Sequence, residues 1–298
     1  MSILFVCPHC GLETEVSDEY AGQSGPCVGC GKLVTMPLPG QAGFGSESLA
    51  ALPRATRRRG LTSLLLAVAA LGLCMSCLIG VLIAIFMPAL QRAGANARRQ
   101  QCAANLQRIG LAMQNYYTDY GSFPPGHVTD AKGRPLHSWR ALLLPYLDPA
   151  LAAQYHFDEP WDGPRNTLLA DQVPDVYRCP DDALSAVSNT TDYVVINGAD
   201  TIFDGSKCTK LAEITDGAAN TLLVVEVVES GIVWLEPRDL RIEQITGGVN
   251  SADEVASNHA GGANVLTADG KTHFLHESRG ATVVREMATK AGEEMVAP

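Results

Sequence analysis

Positive charge is in short supply in this chain of 298 residues, where 22 basic side chains face 32 acidic ones. The deficit is uneven. Residues 1–60 hold five of each sign, which leaves 17 basic and 27 acidic residues, all of them beyond residue 87. An acidic surface of that kind repels phosphate backbones and excludes nucleic acid as a partner of the C-terminal part. Also missing are a P-loop, a dinucleotide-binding glycine fingerprint, a Gly-x-Ser-x-Gly elbow and a His-Glu-x-x-His helix. No motif for phosphoryl transfer, hydride transfer, serine hydrolysis or zinc proteolysis is therefore present, and the expectation is a protein that is not an enzyme. Aromatics are scarce at 6%, yet 46% of residues are hydrophobic, enough for one large or two ordinary domains and too many for a disordered or collagen-like chain.

Charge vanishes altogether from Leu61 to Met87, a run of 27 residues framed by Arg57, Arg58 and Arg59 before it and Arg92, Arg98 and Arg99 after it. At about 1.5 Å per residue a helix of that length reaches about 40 Å, more than the roughly 30 Å hydrocarbon core of a bilayer. The run is read as a transmembrane helix, and the membrane is the first expected partner. The basic residues on its two sides nearly balance, so the positive-inside rule alone does not orient it. Residues 39–60, with Pro39, Gly40, Gly43, Gly45 and Pro53, read as a flexible linker that ends in the basic cluster as a topology anchor.

Beyond Pro88, where a kink is expected, Cys102, Leu106, Ile109, Met113, Tyr116 and Tyr120 recur at spacings of three and four. Residues 88–121 are thus an amphipathic continuation of the helix, ended by Gly121, Pro124 and Pro125. From residue 122 to 298 the pattern changes to short β-branched runs: Tyr193–Ile196, Thr221–Val228, Ile232–Trp234, Ala263–Thr267 and Thr272–Leu275. They predict a mainly antiparallel sheet, with one further helix over Ser138–Leu147.

Cys7-Pro8-His9-Cys10 and Cys27-Val28-Gly29-Cys30 are two Cys-x-x-Cys pairs separated by 16 residues. That spacing is a strong signal for a four-thiolate Zn²⁺ site, and residues 1–38 read as a zinc ribbon. So short a segment buries little core, so the metal is expected to be structural and to supply most of the folding energy. His9 is an alternative ligand, and disulfides an alternative use of the sulfurs. Four thiolates fit a reducing cytosol, which places the N-terminus inside and the acidic domain outside. With Lys32 as its only basic residue, the ribbon is expected to contact protein. Cys74 and Cys77 lie in the membrane run as small apolar groups, Cys102 lies on the apolar stripe, and Cys179 with Cys208 is a candidate disulfide.

Asp269-Gly270 between two strand-like runs predicts a hairpin turn. His259 with Asp269 has the composition of a base and its orienter, but without a nucleophile the reading is a loop histidine beside the hairpin. Asp216, Gly217 and Asn220 form a turn before a strand; with Glu226 they offer a sparse set of oxygen ligands to Ca²⁺.

Several strings in order resemble a large bacterial family of pseudopilin-like proteins, a domain of unknown function with a prepilin-type N-terminal helix. Over residues 59–280 they are Arg59-Gly60-Leu61-Thr62, Pro88-Ala89-Leu90-Gln91, Ala97-Arg98-Arg99-Gln100-Gln101-Cys102-Ala103-Ala104-Asn105-Leu106 and Ile109-Gly110-Leu111-Ala112. Tyr120-Gly121-Ser122-Phe123-Pro124-Pro125-Gly126, Ser138-Trp139-Arg140, Cys179-Pro180-Asp181-Asp182 and Thr215-Asp216-Gly217 with Asn220-Thr221 follow, and His259 with Asp269-Gly270 after nine residues completes the signature. The resemblance implies an α+β, pilin-like fold, a long N-terminal helix half in the membrane and half packed on an antiparallel sheet. It also implies assembly, type II secretion-like transport or surface binding, with self-association among its partners. In pilins a peptidase cuts after a Gly and a Glu five residues on neutralises a neighbour's new amine. Here Gly60 and Leu61 match the cleavage point, while Leu65 replaces the Glu, so the chain is expected to stay uncut and anchored. The alternatives are a minor pseudopilin cut after Gly60, and a solute- or Ca²⁺-binding domain or hydrolase using His259 and Asp269.

Overall fold

A computed structural model describes residues 2–38, 58–185, 187–251, 254–292 and 298. Residues 39–57, most of the expected linker, lie outside the described residues. The chain divides into two compact units, Met1–Gly80 and Val81–Pro298.

At the start of the first unit, β1 (Ser2–Val6) pairs antiparallel with β2 (Glu13–Ser17), and β3 (Ser24–Pro26) with β4 (Leu33–Thr35). Among the described residues of this segment only Cys7 and Val34 are buried. Two half-open hairpins with so little apolar core have no means of closing on hydrophobic burial alone.

One helix, α1 (Arg58–Tyr120), then runs 63 residues and continues through Pro88. Gly60 and Leu61 lie in its first turns. Its apolar part has a mean hydropathy of 2.7, no part of that window is buried, and Leu64, Leu71, Leu82, Phe86 and Leu90 are all exposed. Such a surface, apolar all round, suits lipid rather than water. Further along, Cys102, Leu106, Ile109 and Met113 are fully buried, Tyr116 is half-buried and Tyr120 is exposed, so the expected stripe fades over its last turn. Gly121 ends the helix at φ +74°, its N–H donating to the Tyr117 carbonyl, a left-handed conformation that glycine adopts without strain.

After α1 come the hairpin β5 (His127–Thr129) and β6 (Pro135–Ser138), then α2 (Trp139–Leu142), α3 (Leu144–Leu147) and α4 (Pro149–Ala152). The single helix expected over Ser138–Leu147 is two short ones. Ser138 caps α2 by accepting from the Ala141 N–H, and Pro145, without an N–H, starts α3 afresh. Next are β7 (Tyr193–Val194), β8 (Ile196–Asn197), β9 (Leu222–Glu226), β10 (Leu240–Arg241), β11 (Gly262–Thr267), β12 (Thr272–His276) and α5 (Ala281–Ala288). The main sheet is antiparallel in the order β12-β11-β9-β7, as expected, and β8 and β10 add one small parallel pair. The run Ile232–Trp234 forms no strand; Val233 makes a single bridge to Thr190.

Residues along the sheet alternate between two cores. Tyr193, Val224 and Leu266 face the cluster containing Leu106, Ile109 and Met113 of α1, whereas Val194, Val225 and Val265 face Val284 and Met287 of α5. Both faces of the sheet are therefore covered, which is why β9 and β11 are buried at every position. Gly110 lets α1 approach closely, since a Cβ there would sit 3.0 Å from Leu266 Cδ1.

Candidate functional site

The two Cys-x-x-Cys pairs fold into matching turns. The N–H groups of Gly11 and Gly31, at φ +75° and +71°, donate to the carbonyls of Cys7 and Cys27, and the Cys7 and Cys27 N–H groups donate to the Leu12 and Lys32 carbonyls. The turns bring the sulfurs of Cys7, Cys10, Cys27 and Cys30 within 4.8 Å of one another. Cys7 and Cys30 are 3.9 Å apart and Cys10 and Cys27 3.7 Å. A tetrahedron with metal–sulfur bonds of about 2.3 Å has edges of about 3.8 Å, so these separations fit a bound ion. Backbone N–H groups of Gly29 and Cys30 stabilise the Cys27 thiolate and bring its pKa down to about 6. The four cysteines are thus close enough, and disposed, to bind a metal. His9 is exposed and outside the cluster.

The second cluster lies in the larger unit and corrects two expectations. Cys179 is bonded to Cys102 across 77 residues, with Cα atoms 5.2 Å apart, while Cys208 is a free, exposed thiol. Cys102 is therefore more than an apolar member of the α1 stripe. His259, a buried residue, does not meet Asp269. Its Nδ1 is 2.8 Å from Asp181 Oδ2, and its Nε2 is 3.6 Å from both Glu226 Oε1 and Cys179 Sγ. Arg98 of α1 pairs with the same Asp181. Burial works against a charged imidazole, but the Glu226 and Asp181 carboxylates outweigh it and hold the His259 pKa above its ordinary value. Two carboxylates, one guanidinium and one imidazole thus surround the disulfide. Nearby, burial lifts Asp192 to about 7 even though its carboxylate accepts from the Cys179 N–H.

Glu226 is likewise no partner of Asp216 and Asn220, because its oxygens accept from the backbone and side-chain N–H groups of Asn264. Asp216 accepts from the Gly292 N–H and Asn220 donates to the Asp216 carbonyl. The Asp269-Gly270 turn forms as expected: Asp269 accepts from Thr267 and Lys271, and its N–H donates to Ala218 in the neighbouring turn, which contains Gly217 at φ +94°. Gly270 packs against α1, where a Cβ would lie 2.2 Å from Gln114 Nε2.

Arg140, in the Ser138-Trp139-Arg140 string, was not expected to carry a specific contact. It is fully buried, pairs with Asp239 at 2.7 Å, and donates to the carbonyls of Tyr193, Trp234, Glu236 and Arg238. A cleft of about 750 Å³ lies beside it, lined by His127, Asn197, Asp239 and Arg241 among others, and contains none of His259, Asp269 or Asp216. Beside Cys179 and Glu226 there is a void of only about 10 Å³, room for one water.

Residues 91–207 match the model of a family described as a protein of unknown function (DUF1559). The match takes in the strings from Arg98 on α1 to Cys179-Pro180-Asp181-Asp182 and supports that part of the resemblance. Gly60, Leu61 and His259 stand outside it. No curated protein and no solved structure matches the chain.

Proposed function

We propose that this chain is a single-pass protein of the cytoplasmic (inner) membrane, anchored and uncut, whose N-terminal zinc ribbon faces the cytosol and whose pilin-like domain is external or periplasmic. It binds other proteins, in assembly, secretion or at the surface, and performs no chemistry. One observation carries the reading: the two cysteine groups that flank the apolar half of α1 are in different chemical states, with the exposed Cys208 a lone free thiol beyond it. Four free thiols cluster at metal-binding distances before it, and a disulfide closes a loop of 77 residues after it. Thiolate clusters persist where reductants are abundant, and stable disulfides where they are not. A helix with 27 uncharged residues between the two states is what separates them.

In this reading Zn²⁺, held by Cys7, Cys10, Cys27 and Cys30, supplies folding energy to a segment that buries only two side chains. The ribbon's exposed Leu4, Val6, Val28 and Leu33 offer protein contacts rather than a nucleic-acid surface. The acidic outer domain adds a second contact surface. Protease added to spheroplasts, which exposes a periplasmic as well as an external domain, tests the arrangement. The expected result is digestion of the C-terminal domain with a protected fragment that carries the N-terminus and the span. Digestion of the N-terminus, or protection of the whole chain, overturns it, and a mature chain starting at Leu61 makes the protein a processed pseudopilin instead.

A further inference from the structure

The anchor reading gives no role to the polar side chains around the disulfide, and their chemistry is unusually complete. Cys102 Sγ, Cys179 Sγ, a Glu226 oxygen and a His259 nitrogen all lie within 4.8 Å of one another, and all four residues are buried. We propose that, when the Cys102–Cys179 bond is reduced, these four side chains form a second Zn²⁺ site, so that disulfide and metal-loaded dithiol are two states of one centre.

Two thiolates, an imidazole and a carboxylate are a donor set that suits tetrahedral Zn²⁺. The surrounding groups orient them as metal ligands are oriented. Asp181, itself paired with Arg98, accepts a hydrogen bond from Nδ1–H of His259 and turns Nε2 toward Cys179 and Glu226. A histidine ligand held by a carboxylate on its far nitrogen is the usual outer arrangement of a zinc site. The Asn264 backbone N–H fixes Glu226 Oε2 at 2.7 Å, and Oε1, which also accepts from the Asn264 side chain, lies on the side of the imidazole. Space has to come from reduction itself: the two sulfurs part to the roughly 3.8 Å edge of a zinc tetrahedron, because the void of about 10 Å³ beside Cys179 and Glu226 is not lined by Cys102 or His259.

The redox step balances. A dithiol donor delivers two electrons and two protons, the S–S bond breaks to two thiols, and the donor leaves as its own disulfide. Zn²⁺ then displaces both thiol protons, and any proton on His259 Nε2, to solvent. Two thiolates and the Glu226 carboxylate carry three negative charges, of which the ion neutralises two.

Full-length protein in detergent, with Co²⁺ as the spectroscopic stand-in for Zn²⁺, tests the proposal. The oxidised chain is expected to show seven free thiols and to take up one Co²⁺, at the ribbon. Anaerobic reduction by a phosphine raises the count to nine thiols, and uptake rises to two Co²⁺ per chain with added thiolate-to-cobalt absorption. In His259→Gln and in Glu226→Gln, reduced and with nine thiols, uptake or affinity for the second ion falls at least tenfold. A single Co²⁺ per chain in both redox states of the unsubstituted protein overturns the proposal, and needs no variant to fold. So does a second ion retained at full affinity by both variants. Neither outcome bears on membrane orientation, which protease protection reads separately.

Discussion

Opening the Cys102–Cys179 bond without supplying metal is expected to destabilise the unit Val81–Pro298 by an amount that the chain geometry sets. A cross-link over 77 residues lowers the entropy of the unfolded chain, and the chain-entropy relation for a loop of that length gives about 4.5 kcal/mol. For the unit Val81–Pro298, with an unfolding entropy of about 2.1 cal/mol/K per residue, this lowers Tm by about 10 °C. Tryptophan fluorescence is a clean readout, because Trp139, Trp161 and Trp234 all lie in that unit and the ribbon has none. Melts are compared with and without reductant, both in chelator so that no ion can replace the bond. Cys102→Ser provides the control, since it has no bond to lose and its Tm is expected to ignore the reductant. A drop below about 2 °C in the unsubstituted chain, or an equal drop in Cys102→Ser, refutes the cross-link as a source of stability.

Three other perturbations have defined outcomes. Arg140→Met leaves the buried Asp239 carboxylate without its counter-charge and is expected to cost about 3–5 kcal/mol in denaturant unfolding; Arg140→Met with Asp239→Asn recovers part of that, and an equal loss in the double variant counts against the pairing. Gly262→Ala places a Cβ 1.9 Å from the Leu275 carbonyl oxygen on β12, so the hairpin must part, and a loss of about 3 kcal/mol or more is expected where an ordinary strand position would tolerate alanine. Glu254 is buried. Although burial opposes its charge, the N–H groups of Thr246, Gly247 and Gly248 and the Thr246 hydroxyl donate to its carboxylate and hold its pKa below the ordinary value. With the folded pKa lowered, its stabilisation is complete above the unfolded value near about 4.3 and is lost as pH falls through the folded value. Glu254→Gln is therefore expected to flatten the acid limb of stability against pH, and an unchanged limb refutes the assignment.

Local patterns made much of the molecule readable. A cysteine cluster close enough to bind a metal is written in spacing, a long apolar helix in a run without charge, and a strand in β-branched residues; each depends only on neighbours in sequence. The same logic explains what was missed. Cys102 occupies an apolar helix position like any hydrophobe, and nothing local says that its partner lies 77 residues away. One signal was available: Cys102 and Cys179 both fall within the family-like strings, whereas Cys208 falls in none. Arg140 likewise has no local sign of burial until the chain from Tyr193 to Asp239 wraps it with carbonyls.

The nine residues between His259 and Asp269 acquire a physical meaning in the same way. Between them lies β11, six residues whose length is about 20 Å at about 3.3 Å per residue. A histidine at one end of a strand and a turn at the other never meet as base and orienter. The spacing acts as a ruler: it sets His259 beside the disulfide and Glu226 while Asp269-Gly270 turns the chain against Gln114 of α1. Both ends of β11 are thereby tied to the one long helix, through Cys102 and Arg98 at one end and Gln114 at the other. Inserting one residue within β11 would send every side chain beyond it to the opposite face of the sheet. Leu266 would leave the α1 core, and no compensating change at His259 or Asp269 alone could restore it.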